Sequence, residues 1–140
     1  MAVKFFAVLD TNVLVSAMFT GNPSSNPRQI LDLVFEGIIT PLFNKEIIEE
    51  YTEVLSRDKF PFKPDDVSFV LDALKSIGID PGRTSVDNTE FPDPKDIVFY
   101  EVALSKEGSF LITGNTKHFP KEPIVVTPAE MLEIIRKFNA

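Results

Sequence analysis

Phe5-Phe6-Ala7-Val8-Leu9-Asp10-Thr11-Asn12-Val13-Leu14 is the stretch that decides the fold of this chain. Its first five residues are all apolar, which is typical of a strand buried on both faces of a parallel sheet. Asp10 ends this run, and a second apolar run follows at helical spacing. Because open α/β sheets bind ligands beyond the carboxyl ends of their strands, we predict a chemical role for Asp10. Its alternative role is to cap the following helix, which Thr11 or Asn12 could do equally well.

The composition excludes several classes of protein. With 140 residues, of which 44% are hydrophobic, we predict one folded domain over residues 1–140. The absence of cysteine excludes disulfides, thiolate zinc sites and cysteine nucleophiles. The sequence shows neither a signal pattern nor an apolar run of the ~18 residues that a membrane helix needs, so we expect a cytoplasmic protein that does not enter a membrane. Its net charge of −7 means that nucleic acid could be held only with help from metal ions, a local basic patch or a basic partner.

Strand and helix patterns alternate along the chain. Besides the strand at 5–9, the sequence predicts strands at about 38–42, 110–113 and 124–126. Helices are predicted at about 12–19, 27–36, 44–56, 64–77, 95–107 and 128–137, with a loop over 80–91. This alternation predicts an α/β fold in which helices cover both faces of a central parallel sheet, giving three layers.

Glu50 is the second candidate carboxylate. It lies on a helix with three further glutamates, Glu46, Glu49 and Glu53. At about 100° per residue, those three point away from the apolar face of the helix, whereas Glu50 lies on its border. Glu50 can therefore reach a cleft, although the residue pattern alone is equally consistent with a solvated helix face.

Asp93 and Asp96 open the next helix. Asp93 precedes Pro94, an arrangement typical of a helix N-cap, so we interpret Asp93 as mainly structural. Asp96 would occupy the third helical position, where a carboxylate interacts favourably with the helix dipole. The same position directs it toward whatever lies over the helix N-terminus, so Asp96 is the third candidate.

The strand at 110–113 continues into a polar turn. Thr113 and Asn115 offer neutral oxygens at its carboxyl end, and we expect Gly114 to provide either a positive φ or a close approach to a ligand. His118 is the single histidine of the chain. A lone histidine is more often a turn residue than a catalyst, so the sequence leaves its role open.

Clustered carboxylates without cysteine predict a site with oxygen ligands. Such a site suits Mg²⁺ or Mn²⁺ rather than zinc. A bound cation would also explain why like charges gather, since each carboxylate otherwise raises the pKa of the others. The ion could activate water and stabilise the charged phosphate during hydrolysis of a phosphodiester.

Four motifs, taken in order, resemble those of PIN domains along nearly the whole chain. They are Asp10-Thr11-Asn12-Val13-Leu14, then Glu50-Tyr51-Thr52-Glu53-Val54-Leu55, then Asp96 with Ala103-Leu104, and finally Ile112-Thr113-Gly114-Asn115 with His118-Phe119. The chain most resembles the bacterial and archaeal proteins described as toxins of type II toxin–antitoxin systems.

The resemblance implies a metal-dependent ribonuclease that cuts single-stranded RNA. Its four catalytic positions correspond to Asp10, Glu50, Asp96 and Asn115, the first three being the ligands of Mg²⁺ or Mn²⁺. The fourth position is often aspartate in the family, and Asn115 removes one negative charge, so we expect one ion rather than two. Residues expected near substrate or around the ligands are Thr11, Asn12, Asp93, Thr113, Lys117 and His118.

The resemblance also implies partners: single-stranded RNA, a cognate antitoxin protein and a second copy of the chain in a homodimer. The basic residues nearest the motifs, and so candidates for contacts with the RNA backbone, are Lys95, Lys117 and Arg57. The main alternative is a catalytically weak or inactive PIN-like module that binds RNA or a protein partner. Two other phosphate-handling classes fit less well. Dehalogenase-type hydrolases need a second aspartate at position 12, and receiver domains need a lysine after the last strand.

Overall fold

The structure, a computed structural model, describes residues 3–87 and 91–139. Over these residues the strands are β1 (Phe5–Leu9), β2 (Ile39–Pro41), β3 (Phe110–Ile112) and β4 (Val125–Val126). The α-helices are α1 (Thr11–Phe19), α2 (Asn26–Phe35), α3 (Lys45–Leu55), α4 (Pro64–Ile77), α5 (Ile97–Leu104) and α6 (Pro128–Phe138). Short 3₁₀ turns lie at Pro94–Asp96 and Thr116–His118. None of the helices described in these two ranges is long and apolar enough to cross a membrane.

All four strands run parallel in one sheet, in the order β2-β1-β3-β4. The chain goes from β1 outward to β2 and then returns to place β3 on the other side of β1. The strand order therefore reverses between β1 and β3, and this switch point is where open parallel sheets form a crevice at their carboxyl ends. The predicted α/β fold is confirmed.

Helices cover both faces of the sheet. Ala7 and Val8 are neighbours in β1, so their side chains point to opposite faces, and both are completely buried. Helix α5 packs on β1 and β3, whereas α2 packs on β2 and α6. The strand that was identified as two-sided in the sequence therefore lies at the centre of the core, in the predicted three-layer arrangement.

The helix predicted at 95–107 is shorter than expected at both ends. Its first turn is a 3₁₀ turn, because the Asp93 side chain accepts a hydrogen bond from the backbone N–H of Lys95, only two residues ahead. Its last turn stops at Leu104, and Gly108 follows with a φ of +78°, which redirects the chain into β3. In the loop predicted over 80–91, residues 88–90 lie outside the described part of the chain.

Gly78 and Gly114 differ in whether their surroundings require a glycine. Gly78 ends α4 as predicted, and a Cβ there would overlap the carbonyl oxygen of Pro41 and the ring of Phe43. The expectation of a positive φ at Gly114 is wrong, because Gly114 is not among the positive-φ glycines. A Cβ on Gly114 would instead lie 3.4 Å from Oδ1 of Asn12, an ordinary van der Waals contact.

Candidate active site

Asp10 lies at the switch point between β1 and β3. Its backbone N–H donates to the carbonyl of Ile112 at 2.9 Å, which continues the pairing of the two strands, and the residue is only 6% exposed. Its Oδ1 accepts a hydrogen bond from the backbone N–H of Thr11 at 2.8 Å, so Asp10 is also the N-cap of α1. The two roles proposed for Asp10 are therefore compatible, because capping uses Oδ1 and leaves Oδ2 for other partners.

The second oxygen of Asp10 is fixed by residues from the loops after β1 and β3. The Thr113 hydroxyl, which is fully buried, donates to Oδ2 at 2.7 Å and accepts from the backbone N–H of Asn115 at 3.0 Å. The Asn12 amide nitrogen lies 3.3 Å from the same Oδ2, while the Asn12 amide oxygen accepts from the N–H of Gly114 at 3.0 Å. These bonds orient the carboxylate and join the two loops across the switch point.

Glu50 reaches this edge of the sheet through its neighbour Tyr51. The buried Tyr51 hydroxyl donates to the carbonyl of Leu9 at 2.5 Å, which fixes α3 against the end of β1. Glu50, half-buried, then accepts a hydrogen bond from the Thr11 hydroxyl at 3.3 Å. Tyr51 shows no sequence signal of this role except its place on the apolar face beside a candidate carboxylate. Burial raises the pKa of its hydroxyl. The other glutamates of α3, Glu46, Glu49 and Glu53, are exposed as expected.

Asp96 ends the 3₁₀ turn that leads into α5, and its Oδ2 is buried without a hydrogen-bond partner. The nearest cationic group is Nδ1 of His118 at 3.4 Å, close enough for an ion pair when the ring is protonated. On its other side His118 meets the amide nitrogen of Asn115, 3.0 Å from Nε2. The ring of His118 is therefore held between Asn115 and Asp96. The structure thus brings His118 and Asn115 to the same site as Asp96.

The carboxylates gathered at this site are less stable in their ionised forms than they would be in water. Burial raises the pKa of Asp10, an effect opposed mainly by the hydrogen bond from Thr113. Burial, together with the charges of Asp10 and Asp93, raises the pKa of Asp96 to about 6, although the nearby His118 lowers it. Two carboxylates that resist ionisation share a crevice, which is the condition that a bound cation would relieve.

The donor set fits a hydrated magnesium or manganese ion. Its groups are carboxylate oxygens, the hard donors that these ions prefer, and the unpartnered Oδ2 of Asp96 is an atom that a cation would satisfy. Within residues 3–87 and 91–139, no three Asp, Glu or His side chains are grouped so that they alone could hold an ion. Because Mg²⁺ usually keeps several waters and binds one or two carboxylates, Asp10 and Asp96 meet its requirement without such a cage.

Two of the predicted residues lie apart from the carboxylates. Asp93 is exposed and caps the 3₁₀ turn before Asp96, as its sequence context indicated. Lys117 is exposed and lines a neighbouring cavity that contains none of the candidate carboxylates. Asp93 therefore affects Asp96 through its charge and by capping the turn before it. Any contribution of Lys117 to the site comes through that cavity.

Comparison with known proteins agrees with this geometry. The family model described as PIN domain matches residues 7–117, a range that includes all four predicted catalytic positions. An uncharacterized protein of Methanocaldococcus jannaschii, MJ1680, is 30% identical over 154 aligned residues that cover 97% of this chain and 95% of the relative. No solved structure gives a significant match. PIN domains are generally nucleases. With a parallel sheet and an acidic crevice at its switch point, this chain belongs to the PIN domain family.

Proposed function

We propose that this chain is a metal-dependent endoribonuclease that hydrolyses phosphodiester bonds in single-stranded RNA, with Mg²⁺ or Mn²⁺ as its cofactor. The observation that carries the proposal is Oδ2 of Asp96, a buried carboxylate oxygen that has no hydrogen bond and lies in the field of Asp10. An ionised group in that state is unfavourable unless a cation compensates it. Membership of a family of nucleases supports the choice of reaction.

The proposed role of each side chain follows from its position in the site. Asp10 and Asp96 would hold the ion, which when bound lowers the pKa of its water and offsets charge on the phosphate. Thr113 fixes the orientation of Asp10 through its 2.7 Å hydrogen bond, so that one oxygen keeps a constant direction. Glu50 is placed at the rim by the anchor of Tyr51, and as a half-buried carboxylate it can take the proton of the attacking water.

His118 and Asn115 complete the other side of the crevice. With Nδ1 3.4 Å from Asp96, His118 can pair with that carboxylate when the ring is protonated, or give a hydrogen bond to a phosphate oxygen. Asn115 presents an amide at the position where the resemblance to PIN domains implies a carboxylate, and its amide nitrogen lies 3.0 Å from Nε2 of His118. One negative charge fewer supports our proposal of one ion rather than two.

A toxin role is a further part of the proposal, supported by the resemblance of the motifs to toxin components. Induced expression of the wild-type chain would then arrest growth of a host cell, and Asp96→Asn would not. A cognate antitoxin would relieve the arrest. Equal growth with both chains would contradict the toxin role and leave the nuclease untouched.

Cleavage of a fluorescent single-stranded RNA, with Mn²⁺, Mg²⁺ or EDTA, tests the nuclease. The variants are Asp10→Asn and Asp96→Asn, and the matched control is Asp58→Asn, which removes an exposed carboxylate outside the site. We expect metal-dependent cleavage by wild type and control, and a loss of at least about 100-fold in both site variants, which circular dichroism should show to be folded. Cleavage that persists in EDTA, or in Asp96→Asn, would refute the proposed chemistry.

A second candidate function is a PIN-like module that binds RNA or a protein without efficient catalysis. It is favoured by the amide at Asn115 and by the lack, in the described residues, of a three-ligand group that could hold metal alone. It predicts no cleavage by wild type under any metal condition, together with no metal-induced rise in the melting temperature. Metal-dependent cleavage would refute it.

A further inference from the structure

A cavity of about 370 Å³ lies beside the acidic crevice, across the Thr116–His118 turn. Phe119, Pro120 and Val125 form an apolar part of its wall, and Lys117 and Lys121 also line it. One side of the turn therefore carries His118, which faces Asp96, and the other side carries lysines that face a cavity. Only a single turn of the chain separates the two places.

The lysines of this cavity are available to bind an anion. Neither Lys117 nor Lys121 takes part in any of the ion pairs found among the described residues. Two glutamates also line the cavity. Glu130 uses its carboxylate to accept the N–H of Thr127 in the capping box at the start of α6, and Glu122 is exposed to solvent. The glutamates thus weaken the positive potential of the lysines without pairing with them.

A second groove runs along α3, includes Glu50 of the candidate site and is more acidic. It is lined by all four glutamates of α3, together with Lys95 and Arg57. The Arg57 guanidinium is bound to Glu53 in a bidentate pair at 3.1 and 2.8 Å, so its charge is compensated. A polyanion entering the crevice is therefore repelled along α3 and attracted toward Lys117 and Lys121. With two lysines and two glutamates, this cavity has no net formal charge, so in a chain with a net charge of −7 it is less acidic than the groove along α3, and its two lysines can meet a phosphate.

Lys117 and Lys121 lie close enough to the Asp96–His118 pair to contact a neighbouring phosphate of the same nucleic-acid strand. His118 Nδ1 lies 3.4 Å from Asp96, and Lys117 is the residue before His118. Lys121 is three residues after His118, so their Cα atoms are at most about 11 Å apart, and a lysine side chain adds several ångströms of reach. A phosphate at the carboxylates and the next phosphate of the same strand can therefore be contacted together.

We propose that this cavity is a subsite for the nucleotide adjacent to the scissile phosphate of single-stranded RNA. Lys117 and Lys121 contact its phosphate, and the apolar wall around Pro120 receives its base. The proposal rests on the nuclease function proposed above for the identity of the strand, and it adds where that strand runs and which residues hold it.

The test measures binding of a labelled single-stranded RNA by fluorescence anisotropy in EDTA, at several salt concentrations, and so does not depend on catalysis. The double variant Lys117→Gln/Lys121→Gln is compared with Lys4→Gln/Lys137→Gln, which changes net charge equally. Lys4 precedes β1 and Lys137 lies in the last turn of α6, so both are at the opposite edge of the sheet. We expect Kd to rise about tenfold in the first variant and to stay within twofold in the second. The slope of log Kd against log salt should fall by about 0.7, because one phosphate of the single strand is no longer neutralised.

The outcomes separate this proposal from the nuclease. If wild type cleaves RNA and the two double variants bind it equally, the subsite is refuted and the nuclease stands. If wild type cleaves no RNA but only Lys117→Gln/Lys121→Gln binds it weakly, the subsite stands and the nuclease is refuted. Absence of RNA binding by wild type at low salt overturns the subsite directly.

Discussion

Replacing Asp96 with asparagine should stabilise the protein at neutral pH when no divalent metal is present. Burial and the charges of Asp10 and Asp93 raise the pKa of Asp96 from 3.8 to about 6, so the fold opposes its ionisation. Because the folded pKa lies above the unfolded one, the fold holds this proton more tightly. The cost of ionisation is therefore absent below about pH 4, grows between pH 4 and 6, and is complete above pH 6. Asparagine has nearly the same shape and carries no charge, so it removes the cost.

The magnitude follows from the difference between the two pKa values. The interval from 3.8 to about 6 corresponds to about 3 kcal/mol, at 1.36 kcal/mol for each pKa unit. The Asp96 side chain retains 16% exposure, and solvent reaching it screens part of this energy. We therefore expect Asp96→Asn to gain about 1–2 kcal/mol in the free energy of unfolding at pH 7.5.

Urea unfolding in EDTA at pH 4, 5, 6 and 7.5 measures this difference. The curves of wild type and Asp96→Asn should coincide near pH 4 and separate as the pH rises, while the exposed control Asp58→Asn should follow wild type throughout. Added Mn²⁺ should reverse the order at pH 7.5, since a ligand at a hundred times its Kd stabilises the fold by about 2.7 kcal/mol. If Asp96→Asn is less stable than wild type, or differs from it equally at every pH, the carboxylate is favourably held and the metal argument fails.

Three other substitutions, each followed by urea unfolding, test one contact of the site and two contacts of the surrounding fold. Thr113→Val keeps the shape of the side chain but removes the hydroxyl that donates to Asp10, so it should lower the free energy of unfolding by about 2–3 kcal/mol and raise the pKa of Asp10 further. An unchanged stability would contradict the 2.7 Å bond. Gly78→Ala should lower the free energy of unfolding by about 1–3 kcal/mol, because a Cβ overlaps the carbonyl oxygen of Pro41 at the end of β2. A neutral or stabilising effect would show that α4 can shift freely. Glu101→Gln should lower the free energy of unfolding by about 2 kcal/mol, since this buried carboxylate accepts a 2.6 Å hydrogen bond from Arg83. A loss below about 0.5 kcal/mol would show that the pair is dispensable.

Local features of the fold could be predicted from the sequence because their causes are local. The apolar run at 5–9 is β1, as its composition indicated. Thr127 and Glu130 form the capping box that their spacing predicts, and Asp93 caps the turn that follows it. The error at residues 95–107 is also local, since an Asx bond from Asp93 competes with the first α-helical turn.

The site itself depends on contacts between distant parts of the chain. Sequence pattern identified Asp10, Glu50 and Asp96 as candidates, because each carboxylate stands at a strand end, a helix border or a helix start. It could not show that Thr113, 103 positions away, donates to Asp10. It also gave no indication that the Tyr51 hydroxyl anchors α3 to the carbonyl of Leu9.

By itself, the sequence determined the alternation of strands and helices and indicated Asp10, Glu50 and Asp96 as candidate carboxylates, because hydrophobic period and capping chemistry act over a few residues. Only the tertiary structure decided that β3 lies beside β1, and so that the loops after these strands share one crevice. The same strands in another order would carry the same periodicity. Strand order and register are set by packing of the whole core, and they alone leave Oδ2 of Asp96 buried without a partner.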